Sequence, residues 1–223
     1  MSCLTVKNTG SMKNKLLILM ALVVVMASCT KPTTSYYVQD SNRAWFADTA
    51  NLTFTMRDDN GVSQSFSFSG IDQYMSEQES YFMCVYAGDI EFEHVYQSGI
   101  SSFSTLNMSV SLTADHLEDE PEGTDDFRMD FGPAHYTMRI DGNKFYPRYC
   151  YDYGNDSEME FMAEYFDAYC VQDIEYQCVM HLKLLDPAYA QSRFFPTEVY
   201  YAKHYGLIQC TLDDKLTLYR LPD

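Results

Sequence analysis

The chain has little positive charge, no long apolar run and none of the short motifs that mark common catalytic sites. Its 223 residues carry 15 Lys and Arg against 32 Asp and Glu, a balance that repels nucleic acid. The main apolar run, 16–26, has 11 residues and is too short for a bilayer, which takes roughly 20. HExxH, Gly-x-Ser-x-Gly, GxGxxG and Walker motifs are all missing, so the sequence predicts no catalytic residue, no metal centre and no cofactor.

The short apolar run is typical of an export signal. Two lysines precede it, small residues follow it, and Cys29 comes directly after them. This order indicates a lipoprotein signal in which the Cys29 thiol is diacylated and the new N-terminus is acylated, with fatty acids such as palmitate. Met12 is a better initiator than Met1. The alternative is an ordinary secretory cleavage that leaves Cys29 as a free cysteine.

The predicted organisation has three parts: a signal peptide at 1–28, a lipidated N-terminus and tether at 29–50, and a single β-rich domain at 51–223. Cleavage before Cys29 leaves 195 residues with a formal charge of −20. Proline, threonine and serine at the start of 29–50 are typical of a tether. Two or three acyl chains, with about 0.8 kcal/mol per buried CH₂, make the anchoring lasting.

Five cysteines remain in the region beyond the export signal. They are Cys84, Cys150, Cys170, Cys178 and Cys210. Five is an odd number, no CxxC spacing occurs, and each cysteine lies in an apolar or aromatic run. We therefore expect mainly small buried apolar residues, with a disulfide framework as the alternative.

Apolar and polar residues alternate with a period of two through most of the region after residue 50. This period indicates half-buried strands, and strands solvated on one face favour an antiparallel sheet. The predicted fold class is mainly β, an antiparallel meander that forms a curved sheet, an open barrel or a sandwich. In the run 90–97 the pattern assigns Tyr96 to the apolar face and Gln97 to the polar face.

The first hairpin can be derived from parity. A two-residue turn at Asn60-Gly61 places the apolar sets of its two strands on opposite faces of the sheet. A three-residue loop over 59–61, with Gly61 in the left-handed region, pairs Phe54 with Phe66 on one face. The odd loop is therefore the prediction.

Two further local assignments follow from the pattern. A two-residue turn at Asp141-Gly142 sets Met138 opposite Phe145 and keeps both on one face. The segment 157–170 fits either a helix, because apolar residues recur at helical spacing after a capping box, or a strand, because they also alternate.

The last quarter of the chain carries a family resemblance. The residues Tyr200-Tyr201-Ala202-Lys203, followed by Gly206-Leu207-Ile208, resemble a strand motif near the C-terminus of a large class of Bacteroidota envelope lipoproteins. The resemblance covers 163–223 and implies a curved antiparallel sheet or open barrel, with no functional residue to carry over. From the residues alone, Gly206 is a turn position, and Lys203 is a solvent-facing strand residue rather than a catalytic lysine.

The same resemblance bears on location. In that class, acidic residues soon after the lipidated cysteine accompany export to the cell surface, and 30–35 contains none. It therefore implies an outer-membrane lipoprotein held in the inner leaflet, with its domain facing the periplasm.

Two residue clusters are candidate ligand sites. A loop between two strands holds seven carboxylates within 115–126 and is a weak Ca²⁺ candidate through Glu118, Asp119, Glu120, Glu122, Asp125 and Asp126. A solvated, self-repelling loop without the DxDxDG spacing is the favoured alternative. The other cluster is Tyr149, Tyr151 and Tyr153, beside a Gly-Asn-Asp loop; such aromatics suit a glycan or protein partner, although cross-strand packing also explains them.

The function expected from these observations is a lipid-anchored binding or accessory module of the envelope, without catalysis. A periplasmic hydrolase with an unrecognised site is the first alternative. A carrier of an apolar ligand in a half-barrel is the second.

Overall fold

The computed structural model describes residues 33–82, 85–102, 106–114, 124–212 and 215–222. The export signal, Cys29, Cys84 and the acidic residues 118–122 lie outside these ranges, so their assignments stay predictions.

Almost all described elements are strands. They are β1 (Thr33–Tyr36), β2 (Thr53–Asp58), β3 (Ser63–Phe68), β4 (Asp72–Phe82), β5 (Val85–Ser101), β6 (Met108–Ala114), β7 (Asp125–Phe131), β8 (Ala134–Asp141), β9 (Lys144–Asp152), β10 (Ser157–Met159), β11 (Phe161–Val171), β12 (Ile174–Leu184), β13 (Pro196–Ala202), β14 (Gly206–Leu212) and β15 (Thr217–Arg220). A one-turn helix, α1, spans Asp40–Arg43, and 3₁₀ turns span Thr49–Asn51 and Pro187–Tyr189.

The described residues fall into two compact units. One comprises 33–34, 78–82 and 85–90, which belong to β1, β4 and β5; the other comprises all the remaining described residues. Everything below concerns the larger unit.

The larger unit is built on an antiparallel sheet. Its strand order is β10-β9-β8-β7-β6-β5-β3-β2-β15-β14-β13-β12-β11, with β4 also paired to β5. The sheet nearly closes into a barrel and leaves an unsealed seam. This confirms the predicted fold class. β6 shows the underlying pattern: Met108, Val110, Leu112 and Ala114 are buried, and the intervening Ser and Thr residues are half-exposed on the other face.

The first hairpin is confirmed. Phe54 pairs with Phe66, their rings stack with centroids 5.3 Å apart, and both side chains are buried. Gly61 has φ of +84°, as the odd loop requires. The parity of the apolar residues therefore determined this register.

The second hairpin has a different register from the prediction. Asp141 pairs with Lys144, so the two-residue loop is Gly142-Asn143, and Met138 faces Pro147 instead of Phe145. In this turn the Gly142 amide donates to Asn42 Oδ1 at 2.7 Å, a contact from outside the hairpin. Apolar parity cannot detect this shift, because both registers keep the same faces together.

The open assignment of 157–170 is resolved as strand. β10 pairs with β9, and β11 pairs with β12 along nearly its whole length. The backbone groups of β11 that face β12 are thus hydrogen-bonded between strands rather than within a helix, and β11 is the last strand in the order.

The segment 36–50, which composition placed in a tether, is packed on the sheet. The side chains of Trp45 and Phe46 are buried, and the Trp45 indole Nε1 donates to the Gly142 carbonyl at 3.0 Å. These residues are part of the folded domain. Residues 33–36 form β1, so a tether stays a prediction only for 29–32.

Inward polar residues of β5 hold this segment. Glu93 accepts a hydrogen bond from the Val38 amide at 2.9 Å, and the Gln97 amide group exchanges hydrogen bonds of 3.0 and 2.9 Å with the Ala47 backbone. Gln97 is therefore fully buried and Tyr96 points outward, 38% exposed. The predicted facing of Tyr96 and Gln97 was wrong because these buried polar groups have backbone partners.

The prediction for the cysteines is correct for half of those described. Cys150 and Cys210 are buried, and burial raises the pKa of both thiols. Cys170 is exposed and Cys178 is half-exposed, so neither is a core residue. All four are free thiols in the structure.

Candidate binding cleft

A cleft of about 550 Å³ lies on the outer face of β4–β7. Its lining combines aromatic rings, hydroxyl groups and one guanidinium. The residues that matter below are Tyr74, His94, Tyr96, Ser111, Thr113 and Arg128. Val95, Leu112 and Phe127, which alternate with them along β5, β6 and β7, are buried in the core. The cleft side chains therefore all leave the sheet on its outer face.

Strand register brings these side chains together. Tyr96 pairs with Ser111, Ser111 with Arg128, Arg128 with Thr137, and Thr137 with Tyr149. Paired residues of neighbouring antiparallel strands point to the same face, so this set forms one row across five strands. The row carries an aromatic ring at each end and Arg128 at its centre.

His94 forms one wall of the cleft. One ring nitrogen, Nε2, lies 2.6 Å from the Ser76 hydroxyl, and the other, Nδ1, lies 3.0 Å from the Thr113 hydroxyl. The Tyr74 ring stacks on the imidazole with centroids 4.8 Å apart. Partial burial and the positive charge of Arg128 lower the pKa of His94, which favours the neutral imidazole.

The pairing of Ser76 with His94 has the first two members of a nucleophilic triad. The third position is a neutral hydroxyl, Thr113, where a triad has a carboxylate that stabilises the imidazolium. This geometry favours His94 as a fixed polar side chain that lines the cleft, rather than as a base that transfers a proton.

Arg128 is held by a buried carboxylate. Its Nε and Nη2 donate to Asp126 Oδ2 at 3.0 and 2.9 Å, and Arg148 donates to the other oxygen of Asp126 at 3.2 Å. The Asp126 side chain is 7% exposed, whereas that of Arg128 is 52% exposed. Asp126 therefore holds the guanidinium, and the exposed part of the Arg128 side chain lines the cleft.

The predicted tyrosines lie on the same outer face, at the β9 end. Tyr153 is 60% exposed, and Tyr149 and Tyr151 are half-buried. His135 lies between them, with its ring centroid 6.3 Å from that of Tyr149 and 5.6 Å from that of Tyr153. The structure thus places the predicted cluster on one continuous surface with the cleft, and it also shows the cross-strand packing that was the alternative.

The acidic loop has two described candidates, Asp125 and Asp126. Successive residues of a strand point to opposite faces, and these two do so. Asp125 turns inward, where it accepts a hydrogen bond from Asn42 Nδ2 at 2.7 Å, and burial raises its pKa. Asp126 turns outward to the two arginines. Among the described residues no group of three or more His, Cys, Asp or Glu could hold a metal ion.

The motif that carries the family resemblance forms the β13–β14 turn. Lys203 lies in the turn with its Nζ 4.8 Å from the Trp45 ring and 2.8 Å from Asn143 Oδ1, so it packs against its neighbours instead of facing solvent from a strand. Gly206 has φ of +79°, as its turn position requires. The His204 carbonyl accepts the Asp48 amide at 2.9 Å. The motif is structural.

Sequence reasoning missed the centre of the cleft. Tyr96 was assigned to the core, and Tyr74 and Arg128 were not singled out. A signal was present for Arg128, which alternates with Phe127 and Met129 and so had to point outward. No sequence signal specified that β4 pairs with β5 and that β7 lies on the far side of β6.

The chain matches no family model, no curated protein and no solved structure. None of the helices in the described ranges has the length and apolar character needed to span a membrane.

Proposed function

We propose that the protein is a lipid-anchored binding module of a bacterial envelope, without catalysis, and that the cleft on β4–β7 is its ligand site. One observation carries this proposal: the cleft offers two half-exposed aromatic rings, Tyr74 and Tyr96, next to hydroxyl groups and a positioned arginine. Concave sites of 300–1,000 Å³ that combine apolar contact area with a few placed polar groups are the usual form of small-ligand sites.

The two alternatives from the sequence receive less support. A carrier needs an apolar interior cavity, whereas inward side chains such as Phe127, Met129 and Tyr136 pack in a common core with no exposed area. A hydrolase has the Ser76–His94 pair in its favour, but this pair has no carboxylate behind it. Ligand binding is the function that accounts for all the side chains that line the cleft.

The experiment is to measure binding to an array of immobilised oligosaccharides and then to compare variants. We expect Tyr96→Ala to weaken binding about tenfold or more, because a half-buried aromatic platform typically contributes 1–3 kcal/mol. Tyr37→Ala is the matched control, since Tyr37 is 66% exposed and is not among the residues that line the cleft. Unchanged binding in Tyr96→Ala contradicts the site. Covalent labelling of Ser76 by a fluorophosphonate contradicts the absence of catalysis.

The anchoring part of the proposal rests on Cys29 and on the family resemblance, which point to the inner leaflet of the outer membrane with the domain in the periplasm. Cells fed labelled palmitate should incorporate label into the wild-type protein, and Cys29→Ala should abolish incorporation because the acylated thiol is gone. Cys170→Ala removes an exposed cysteine and should keep the label. Equal labelling of the Cys29→Ala variant and the wild type contradicts lipidation at this residue.

A further inference from the structure

We propose that the ligand of the cleft is a glycan that carries an anionic group, a carboxylate, sulfate or phosphate, and that Arg128 binds this group. The inference rests on the proposed function, since it names the ligand class of the same cleft. It follows from how Arg128 is held, from the charges around it and from the groups that flank it.

The guanidinium of Arg128 is positioned for a second anion. Two of its nitrogens, Nε and Nη2, are used by Asp126, and Nη1 donates to no other group in the part of the chain that the structure describes. Asp126, two residues away on the same face of β7, is buried, whereas about half of the Arg128 side chain is exposed and lines the cleft. A planar guanidinium held in this way suits a carboxylate or a tetrahedral oxyanion. Because its side chain is already fixed, it loses little conformational entropy when it binds the anion.

Two of the acids on this face are already engaged by cationic or hydrogen-bonding partners, and a third, Asp72, lies beside Tyr96, where its charge raises the pKa of the Tyr96 hydroxyl. Asp126 is shared between Arg128 and Arg148, and Asp130 lies 2.6 Å from His135 Nδ1 and accepts a hydrogen bond from Ser109 at 3.0 Å. Burial alone would raise the pKa of Asp130, but these hydrogen bonds lower it below its usual value. Arg128 therefore provides a local positive site in a chain whose formal charge is −17.

The groups around Arg128 match a sugar better than a simple ion. Tyr74 and Tyr96 offer ring faces and edges on one side, with ring centroids 6.4 Å apart, and sugar rings stack on such faces through their C–H groups. Ser111 and Thr113 line the floor and can hydrogen-bond sugar hydroxyls. The row continues to Tyr149 across Thr137, which is buried, so a longer glycan that passes over Thr137 can extend toward the tyrosines of β9.

The test compares matched pairs of acidic and neutral oligosaccharides on the full chain. The pairs are oligogalacturonate with its methyl ester, sulfated with desulfated carrageenan oligomers, and a phosphorylated mannose oligomer with its dephosphorylated form. We expect at least one acidic member to bind about tenfold or more tighter than its neutral partner, and the preferred pair identifies the anion. Arg128→Gln should reduce that preference to about twofold or less, and Arg128→Lys should restore part of it, because charge remains but the fork is lost. Arg57→Gln removes one exposed positive charge from β2 and should keep the full preference.

The outcomes separate this inference from the proposed function. If neutral and acidic members bind equally and Tyr96→Ala weakens both, the cleft is a glycan site and the anion inference is wrong. If Arg128→Gln and Arg57→Gln lower the preference equally, the effect is net charge and Arg128 has no special role. If no glycan binds, this inference is wrong, and if a protein ligand then binds the wild type and Tyr96→Ala equally, the proposed ligand site is overturned as well. Thermal unfolding of each variant excludes loss of the fold as the cause.

Discussion

Trp45→Ala is expected to lower the free energy of unfolding by about 4 kcal/mol. Replacing a fully buried Phe or Trp by Ala usually costs about 3–5 kcal/mol. Trp45 has no exposed area, packs edge-on against Phe145 with centroids 5.5 Å apart, and donates its indole N–H to the Gly142 carbonyl. Lys203 lies over the ring from the other side. One side chain thus joins the β8–β9 turn to the β13–β14 turn, which are far apart in sequence.

The measurement is urea unfolding followed by circular dichroism. Trp45→Phe keeps most of the packing and loses the hydrogen bond, so it should cost about 1–2 kcal/mol. Tyr37→Ala, an exposed aromatic from the same segment, should stay within about 0.5 kcal/mol of wild type. A Trp45→Ala variant within about 1 kcal/mol of wild type would show that 36–50 does not unfold together with the sheet.

Asp152→Ala is expected to cost about 3 kcal/mol, because a buried carboxylate is the shared acceptor of two loops. Asp152 accepts hydrogen bonds from the Gly154 amide at 2.9 Å, Asn155 Nδ2 at 3.0 Å, the Ser192 amide at 3.1 Å and the Ser192 hydroxyl at 2.5 Å. Its removal leaves these donors without their acceptor within the protein. Glu158→Ala, an exposed acid on β10, is the control and should change stability by less than about 0.5 kcal/mol.

The same carboxylate predicts a pH dependence. Burial alone would raise the pKa of Asp152, but its hydrogen bonds from Ser192, Asn155 and Gly154 lower it below its usual value. A carboxyl whose pKa is lower in the folded state stabilises the fold above its unfolded pKa of about 3.9 and loses that contribution as the pH falls through the folded pKa. The stability of the wild type should therefore fall below about pH 4 more steeply than that of Asp152→Asn. Parallel pH profiles for the two proteins would contradict this assignment.

The sequence by itself determined the fold class and much of the local register. Alternation in β6 and β7 predicted which side chains enter the core, because a period of two leaves only one way to bury the apolar set. The same parity determined the three-residue loop at 59–61 and the pairing of Phe54 with Phe66. These features depend only on residues that are close in sequence, so they can be predicted from the local pattern of apolar and polar residues.

Tertiary structure alone decided the features that join distant residues. The facing of Gln97, the shifted turn at Gly142 and the burial of Trp45 share one cause, which is the packing of 36–50 against the sheet. Gln97 of β5 hydrogen-bonds that segment, and Asn42 within the segment accepts the Gly142 amide, so polar residues are buried where the alternation rule expects apolar ones. The cleft arises in the same way: Tyr74 and Arg128 acquire a common role only when β4 and β7 lie on either side of β5 and β6, and no periodicity along one strand specifies its neighbours.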